Sequence, residues 1–408
     1  MAKTSKSLAD NATIPFFYRG EISASKSLMN RALVVKSFFP ELELRGDSSC
    51  EDVRHMKKAL ADLASNKNQI FCGEAGTVFR FMSLRASRNP GSFFISGTKR
   101  LMERPHQEVV TLLDQLGVAA YLSEDGLKIQ GKGWKKPEGR LKILREKSSQ
   151  FATGFLMSCW DLPFDVEFEL FPKGLKDSYW DMSLNLSRDL GMQIKEISQD
   201  TFFIPAYQKV NVKNYDIEPD MSSVFAVGAV AALTGDVHIH HMPKKSLQPD
   251  YRFIEILNKM KIFTEISTET SPVLTISCTD QFFGIEADLK ETPDLFPVLS
   301  VLCAFAEGKS VLFGAPRLAH KESNRILKTS ELLNLMGVKN EPKPDGIIIY
   351  GQGRSLTPKS FEFDPDHDHR MAMAAGVLFR MGWKLKIKTP DVVKKSFPEF
   401  WEVIGVTT

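Results

Sequence analysis

One pattern of apolar and amphipathic segments recurs along nearly the whole chain, and it constrains the fold more than any other feature of the sequence. Each unit has an apolar segment of helical composition, a short β-rich segment and an amphipathic helix, and most units close with a hairpin. The six apolar segments read KSLMNRALVVKSFF, GTVFRFMSLRA, SQFATGFLMSCW, SSVFAVGAVAALTG, LFPVLSVLCAFAEG and HRMAMAAGVLFRMG. Because they are apolar nearly all round, we expect buried helices that need a layer on each side. Any α/β protein alternates helices with strands, but the same order in six units favours compact α/β domains with helices inside and sheets outside.

The apolar segments share a second feature, which is a set of polar or cationic residues at the N-terminal end. These residues are Lys26, Ser27 and Arg31; Gly76, Thr77 and Arg80; Ser148, Ser149 and Gln150; Ser222 and Ser223; Asp294; and Asp368, His369 and Arg370. If the helix ends converge, these side chains line one cleft. Hydroxyls, glycines and cations at helix N-termini suit phosphate and carboxylate groups. The pattern therefore predicts a site for anionic small molecules.

The stretch DPDHDHRMAM, residues 364–373, leaves three interpretations open. His367 and His369 could converge on a metal ion together with neighbouring aspartates. The stretch could also be an ordinary solvated helix start. Alternatively, Asp368 is the N-cap and Arg370 lies in the first turn, where backbone N–H groups favour an anion. The other helix ends favour the anion, so we expect neither a metal nor a cofactor.

Composition narrows the function classes. Lys and Arg number 53 against 50 Asp and Glu, a balance too even to indicate a nucleic-acid partner. The five cysteines form no C-x-x-C pair, and their odd number favours a reducing compartment over a disulfide framework. No apolar run has membrane-spanning length, and the N-terminal stretch lacks the apolar core of a signal peptide. We expect a monomeric cytoplasmic protein with neither a membrane nor a nucleic-acid partner.

Six motifs in order make the chain similar to the enolpyruvyl transferases, and most closely to those that act on shikimate 3-phosphate. The motifs are SKSLMNRAL, GEAGTVFR, MERP, SSQF, TPD with HKESNR, and DHDHRMAM, followed by KKSFPEF. The resemblance implies an α/β fold of six β-α-β-α-β-β units, three in each of two domains that are inside-out barrels around buried helices. One domain would comprise residues 24–217, and the second would combine residues 1–23 with 218–408. The two domains would close on the substrates.

The resemblance also implies a reaction, in which the enolpyruvyl group of phosphoenolpyruvate moves to the 5-hydroxyl of shikimate 3-phosphate and phosphate leaves. This step belongs to chorismate and aromatic amino acid biosynthesis and is the target of glyphosate. By the resemblance, Asp294 takes the hydroxyl proton and Glu322 protonates the methylene carbon. Lys26 and His369 would be further catalytic groups, with His369 beside Glu322 and Lys26.

The substrate-binding residues implied by the resemblance lie at the helix ends and in the loops between them. For phosphoenolpyruvate they are Lys26, Gly76, Arg104, Gln150, Arg325, Arg370 and Lys395. For shikimate 3-phosphate they are Lys26, Ser27, Arg31, Ser148, Ser149, Gln150, Asp294 and Lys321. Arg80 would support the wall of the cleft.

Several positions depart from the family pattern at the edges of the implied substrate sites. Glu74 stands where asparagine is usual, Lys176 where serine is common, and Arg317 where asparagine or a similar residue is common. Ser23 and Ala24 replace a Pro-Gly pair. Two alternatives therefore stay open: an enolpyruvyl transferase acting on UDP-N-acetylglucosamine, and a catalytically impaired binding protein on the same fold. The segment GTKRLMERP lacks the cysteine common in the first of these.

Overall fold

The computed structural model describes residues 15–407, and the chain divides into two compact units. The continuous unit comprises residues 24–217. The discontinuous unit comprises the described residues before Ala24 together with those from Glu218 onward. Residues 1–14 lie outside the described residues. They include the stretch for which the absence of a signal peptide is predicted and most of the predicted domain segment 1–23.

The helices and strands follow one another in the order that the repeat predicts. The α-helices are α1 (Lys26–Lys36), α2 (Glu51–Ala64), α3 (Gly76–Ser87), α4 (Lys99–Met102), α5 (Gln107–Gln115), α6 (Gln150–Met157), α7 (Ser178–Asp189), α8 (Met221–Thr234), α9 (Phe253–Lys259), α10 (Phe296–Ala304), α11 (Arg325–Met336), α12 (His369–Phe379) and α13 (Phe400–Val403). The strands are β1 (Phe16–Gly20), β2 (Glu43–Arg45), β3 (Gln69–Phe71), β4 (Pro90–Ser96), β5 (Ala119–Leu122), β6 (Gly126–Lys132), β7 (Leu141–Leu144), β8 (Val166–Phe171), β9 (Lys195–Ser198), β10 (Thr201–Ile204), β11 (Asn214–Asp216), β12 (Gly235–Ile239), β13 (Thr264–Ile266), β14 (Leu274–Ser277), β15 (Glu286–Asp288), β16 (Glu307–Phe313), β17 (Asn340–Lys343), β18 (Gly346–Gln352), β19 (Ser360–Phe363) and β20 (Lys384–Ile387).

Within residues 15–407, each unit has two four-stranded sheets and one two-stranded sheet. In the continuous unit the strand orders are β3-β4-β6-β5, β7-β8-β10-β9 and β11-β2. In the discontinuous unit they are β1-β12-β14-β13, β15-β16-β18-β17 and β19-β20. Every sheet contains one parallel pair, and each four-stranded sheet adds an antiparallel hairpin. The six-unit repeat is thus confirmed, with the closing hairpin absent from the two-stranded sheets.

The apolar helix of each repeat lies in the core, as its composition predicts. Every residue of α10 and α12 is buried, and α8 is buried from Met221 to Leu233. In the continuous unit α3 packs against α6, and in the discontinuous unit α10 packs against α12. A surrounding layer of sheets and amphipathic helices covers these helices, so their N-terminal ends are the places where the buried layer presents polar groups.

Strand β1 joins the discontinuous unit by pairing in parallel with β12, and Phe16 lies opposite Gly235. A Cβ atom at Gly235 would lie 1.8 Å from the carbonyl oxygen of Phe16. Only glycine therefore permits the two backbones to approach so closely.

Two expectations from composition concern the described part of the chain. All five cysteines are free thiols, and four of them are buried. Among residues 15–407, no helix combines the length and the hydropathy required to span a bilayer.

Candidate active site

Lys26, the first residue of α1, is held by an ion pair within the continuous unit. The hydroxyl of Ser25 caps the helix by accepting from the Leu28 N–H, so the backbone at Lys26 is fixed. The Lys26 Nζ lies 3.0 Å from Asp52 Oδ2, and Asp52 is buried in the first turn of α2. The ammonium group is thereby anchored beside the hydroxyl-bearing residue Ser27, which is half-buried.

Arg31 lies one turn further along α1 and links that helix to α7. Its guanidinium donates to Ser183 Oγ at 2.8 Å and to the carbonyl oxygens of Ser27 at 2.7 Å and Tyr179 at 3.3 Å. Burial lowers the pKa of Arg31 to about 10, although Tyr179 and Asp177 act in the opposite direction. These three bonds use three of the five N–H groups of the guanidinium. Two N–H groups are left to bind an anion.

Gly76 begins α3, and the guanidinium of Arg104 lies directly over it. A Cβ atom at Gly76 would be 3.0 Å from Arg104 Nη1 and 3.3 Å from Arg80 Nη1. Arg104 is half-buried, and its side chain has no hydrogen-bond or ion-pair partner among residues 15–407. A cation beside the positive end of a helix dipole is unfavourable by itself. The same arrangement is well suited to bind an anion between the two.

Gln150, the first residue of α6, is fixed by side chains from α3. Its amide oxygen accepts from Arg80 Nη1, and its amide nitrogen donates to Thr77 Oγ1 at 2.8 Å. The preceding Ser148 accepts from the Gln150 N–H at 3.2 Å, and Ser149 is buried at the N-cap of α6. These contacts join the N-terminal ends of α3 and α6 into one surface. We name Lys26, Gly76, Arg80, Arg104 and Gln150 the cationic cluster.

A second group of residues, within the discontinuous unit, is organised around the buried guanidinium of Arg325. Its Nε lies 2.8 Å from Asp368 Oδ2, its Nη1 lies 2.7 Å from Asp294 Oδ1, and its Nη2 lies 3.1 Å from Glu322 Oε2. Burial opposes the charged form, but Asp368, Asp294 and Glu322 together raise the pKa of Arg325. With Arg370, these four residues form what we name the carboxylate cluster.

Asp294 lies ahead of α10 and has three cationic neighbours. Its oxygens are 2.7 Å from Arg325 Nη1, 3.3 Å from Arg370 Nη2 and 3.5 Å from Lys321 Nζ. Burial alone would raise the pKa of this carboxyl, but Lys321, Arg370 and Arg325 outweigh it and hold the pKa well below the usual range. Asp294 is therefore a carboxylate, the form that a general base requires.

Glu322 and Lys395 lie at the edge of the carboxylate cluster. The Glu322 Oε1 is 3.8 Å from Lys395 Nζ, in addition to its contact with Arg325. Lys395 is buried at 5 % exposure, so its ammonium group cannot be solvated freely. His369 begins α12, is also buried, and has its Nδ1 3.9 Å from Asp368 Oδ1.

The stretch that left three interpretations open forms the start of α12. Asp368 is the N-cap and accepts from the Arg370 N–H at 2.9 Å, which confirms the prediction for both residues. His369 is buried whereas His367 is exposed, so the two rings do not converge on one point. Across residues 15–407 no group of three His, Cys, Asp or Glu side chains could hold a metal ion.

Of the departures from the family pattern, only Ala24 is buried; Ser23 and the three charged residues Glu74, Lys176 and Arg317 do not lie in the buried interior. Glu74 and Arg317 are half-buried, and Lys176 is exposed in the loop before α7. None of them belongs to either cluster.

Sequence reasoning missed some residues that fix the predicted ones. It did not anticipate Asp52 as the partner of Lys26, and it treated Asp368 only as a helix cap rather than as the anchor of Arg325. The only available signal was an acidic residue in the first turn or at the N-cap of a helix, which helices commonly carry for local reasons. His106 gave no signal in the sequence beyond its position after the MERP motif.

Comparison with known proteins identifies a family that this chain matches in sequence. A sequence model of the EPSP synthase family, described as 3-phosphoshikimate 1-carboxyvinyltransferase, matches residues 43–404. A 3-phosphoshikimate 1-carboxyvinyltransferase from Syntrophobacter fumaroxidans is 30% identical over 93% of this chain and 95% of the relative. One from Methanococcus aeolicus is 32% identical over 83% of this chain and 78% of the relative.

Two solved structures share the fold. EPSP synthase from Acinetobacter baumannii superposes with a TM-score of 0.76 at 23% identity, covering 96% of this chain and 95% of that chain. The enolpyruvyl transferase NikO from Streptomyces tendae superposes with a TM-score of 0.71 at 12% identity, covering 97% of this chain and 95% of that chain. The predicted two-domain α/β fold is thereby confirmed.

Proposed function

The chain belongs to the EPSP synthase family, and on this premise we propose that it transfers the enolpyruvyl group of phosphoenolpyruvate to the 5-hydroxyl of shikimate 3-phosphate. Inorganic phosphate is the second product, and the reaction serves aromatic amino acid biosynthesis. The chain is a transferase without a cofactor in this scheme. The proposal assigns anion binding to both clusters and proton transfer to the carboxylate cluster.

The observation that carries the proposal is the guanidinium of Arg325, which contacts Asp294, Glu322 and Asp368 at once. Asp368 is completely buried and is fixed by Ser323 and the Arg370 N–H as well, so it serves as an anchor. The side chains of Asp294 and Glu322 keep 18% and 15% of their surface exposed, so a substrate can reach them. Two accessible carboxylates held by one cation supply the base and the acid that enolpyruvyl transfer requires.

Phosphoenolpyruvate carries a phosphate and a carboxylate, and cations in each unit suit them. In the cationic cluster these are Lys26 and Arg104, together with the free N–H groups at the start of α3 beside Gly76. In the discontinuous unit they are Arg325, Arg370 and Lys395. Arginine binds carboxylate and phosphate in a bidentate manner, which orients the substrate as well as attracting it.

Shikimate 3-phosphate offers a phosphate, a carboxylate and hydroxyls. We assign its binding to hydroxyl and amide groups at the starts of α1 and α6, with two cations. The assigned residues are Lys26, Ser27, Arg31, Ser148, Ser149, Gln150, Asp294 and Lys321. We assign the Gln150 amide to the binding of both substrates. Thr77 and Arg80 fix the orientation of this amide.

The proton steps balance between the two carboxylates. Asp294 accepts the proton of the 5-hydroxyl as the oxygen bonds to the central carbon of phosphoenolpyruvate, and protonated Glu322 donates its proton to the methylene carbon. In the elimination step, Glu322 takes back a proton from the resulting methyl group, the carbon–oxygen bond to phosphate breaks, and the leaving phosphate takes up the proton held by Asp294, so that both carboxylates return to their starting forms. His369, buried at the start of α12, is assigned to proton relay.

The cations around these carboxylates must be redistributed during the cycle. Arg325 and Lys395 contact Glu322, and such contacts favour a carboxylate over the acid that the first step needs. Bound phosphate and carboxylate groups of the substrates attract the same cations. We therefore expect substrate binding to weaken the hold of Arg325 and Lys395 on Glu322, which allows it to take up a proton.

Release of phosphate from purified protein tests the function. Shikimate 3-phosphate and phosphoenolpyruvate should give phosphate, whereas UDP-N-acetylglucosamine in place of shikimate 3-phosphate should give none. The variant Glu322→Gln controls for contaminating phosphatase. Phosphate release with UDP-N-acetylglucosamine but not with shikimate 3-phosphate, each in the presence of phosphoenolpyruvate, would reject the proposed acceptor. Binding of shikimate 3-phosphate without phosphate release would indicate a binding protein on an enzyme fold.

Two further points belong to the proposal. All five cysteines are free thiols, which fits a reducing compartment such as the cytoplasm. We also propose a monomer, and light scattering during gel filtration should give a mass close to the 45.9 kDa of the chain.

A further inference from the structure

His106 follows the Arg104–Pro105 pair and is almost fully buried, at 1% exposure. Its Nε2 lies 2.8 Å from the carbonyl oxygen of Leu101. A carbonyl oxygen can only accept a hydrogen bond, so Nε2 carries a proton. The other ring nitrogen, Nδ1, is buried and has no hydrogen-bond partner in the part of the chain that the structure describes.

The surroundings of the ring keep it uncharged. His106 packs against Phe79 of α3 with ring centroids 4.3 Å apart. Burial, together with the charges of Arg80 and Arg104, lowers the pKa of His106 to about 3, against the opposing effect of the Leu101 carbonyl. The neutral ring with its proton on Nε2 is therefore the form present near pH 7.

The segment between Leu101 and Pro105 is held at both ends. His106 binds the Leu101 carbonyl, and Arg80 Nη2 donates to the Pro105 carbonyl at 3.1 Å. Arg104 lies between these two points, and its guanidinium extends over Gly76 without a hydrogen bond of its own among residues 15–407. The position of this guanidinium thus depends on how firmly its backbone is held.

We propose that His106 is a positioning residue for Arg104, and that its neutral Nε2–H holds the turn at residues 101–105 so that the Arg104 guanidinium stays over the first turn of α3. A histidine suits this task for an electrostatic reason. Lysine or arginine would also donate to Leu101 but would add a third cation beside Arg80 and Arg104. The neutral ring provides the donor without that repulsion.

The inference rests on the proposed function, because it assigns Arg104 to phosphoenolpyruvate. Three variants of the full-length protein separate the hydrogen bond from the packing: His106→Gln, His106→Asn and His106→Leu. The glutamine amide reaches the place of Nε2, whereas the asparagine amide reaches only the place of Nδ1. Leucine retains apolar packing without a donor.

The kinetic constants of these variants test the role of the hydrogen bond. We expect His106→Leu and His106→Asn to raise KM for phosphoenolpyruvate about tenfold, because each variant loses the hydrogen bond to the Leu101 carbonyl and one hydrogen bond typically contributes about 1 kcal/mol, which corresponds to a factor of about that size. In these two variants KM for shikimate 3-phosphate should change by less than about twofold. In His106→Gln, which keeps the hydrogen bond, KM for each substrate should stay within about twofold of the wild-type value. Thermal melting identifies any variant that fails to fold. If His106→Leu does not fold, the comparison of His106→Gln with His106→Asn is sufficient to test the hydrogen bond.

Other outcomes reject the role. Equal KM values for all three variants, or equal changes in both KM values, would show that His106 serves packing only. If wild-type protein releases no phosphate at all, the proposed function fails and this inference fails with it. If wild type is active and His106→Leu is unimpaired, only the inference fails. Nitrogen-15 spectra of labelled histidine provide an independent check, since a ring that is doubly protonated at pH 6 would contradict the neutral Nε2–H form.

Discussion

The two units hold their buried arginines in different ways. In the continuous unit, Arg31 and Arg85 bond to uncharged oxygens, and burial lowers the pKa of each to about 10. Arg80 bonds to the amide of Gln150 and to a carbonyl oxygen. Arg145 is the exception, since it pairs with Asp200 at 2.6 Å.

In the discontinuous unit, Arg325 and Arg370 contact carboxylates, and their pKa values are raised despite burial, whereas Arg380 lies over the Phe16 ring and burial lowers its pKa. The type of partner determines what each set of residues can do. Cations held by neutral groups, such as Arg80 of the cationic cluster, keep a positive potential that attracts anions, whereas Lys26 of the same cluster is paired with Asp52. Cations held by carboxylates are neutralised locally, but they fix acid and base groups in place. We therefore expect the cationic cluster to govern substrate affinity and the carboxylate cluster to govern turnover.

The largest effect should come from removing the base in the carboxylate cluster. Asp294→Asn preserves the shape of the side chain but not its charge, and we expect kcat to fall about 10²–10⁴-fold because proton transfer is lost. Phosphate release under saturating substrates measures kcat. The matched control is Glu331→Gln, an exposed carboxylate on α11 that pairs with Lys328 at the surface. A turnover near wild type in Asp294→Asn would break the division of labour between the two units.

The second effect concerns stability. Arg325→Met leaves buried carboxylates without their cation, so the free energy of unfolding should fall by about 3–5 kcal/mol. Arg31→Met removes hydrogen bonds to neutral oxygens only and should cost about 1–3 kcal/mol. Urea unfolding of the two variants, followed by far-UV circular dichroism, measures the difference. Equal losses would mean that the type of partner does not distinguish the two units.

The third effect is a pH dependence that originates in the continuous unit. The folded state holds the pKa of His106 near 3, below its ordinary value of 6.5, so the unfolded state binds the proton more readily. The stability contributed by the neutral ring is complete above about pH 6.5 and is lost as the pH falls toward about 3. Between pH 7 and pH 5 we expect wild type to lose on the order of 2 kcal/mol more than His106→Gln.

Urea unfolding at several pH values provides this measurement. His320→Gln, which replaces an exposed histidine in the discontinuous unit, is the matched control. If wild type and His106→Gln lose stability in parallel between pH 7 and pH 5, the ring is not excluded from protonation in the folded state.

The smallest effect should come from the close approach at α3. Gly76→Ala places a methyl group 3.0 Å from Arg104 Nη1 and forces that guanidinium to move by a few tenths of an ångström. We expect KM for phosphoenolpyruvate to rise about tenfold, with kcat changed much less, because positioning rather than proton transfer is disturbed. Gly139→Ala is the control, since a Cβ atom there has nothing within 4 Å. A fall in kcat without a change in KM would assign Gly76 to the chemical step instead.

Much of the architecture was predictable because periodicity and composition report burial directly. The apolar segments of α8, α10 and α12 had no polar face, and all three helices lie in the core. The N-cap at Asp368 was also predictable, because capping depends on a few neighbouring residues. The ordered motifs identified the family without reference to three-dimensional contacts.

The polar contacts between distant segments were not predictable. Lys26 and Asp52 lie in different helices, and Arg325 and Asp368 are 43 residues apart along the chain. Periodicity states which face of a helix is buried, but not which charged groups meet when two buried faces pack. The hydrogen bond from His106 to Leu101 could not be predicted for a similar reason, because the sequence of an irregular turn has no hydrophobic periodicity.

The pairing of β1 with β12 has a consequence for biosynthesis. Phe16 is made before its partner Gly235, which follows roughly 10–45 s later at about 5–20 residues per second. By the end of that interval the continuous unit has all of its own sequence and can fold, whereas β1 remains an unpaired strand of the nascent chain until β12 is made. An exposed strand edge can pair with other chains. The discontinuous unit therefore depends on the first strand remaining free until the strand that receives it has been translated.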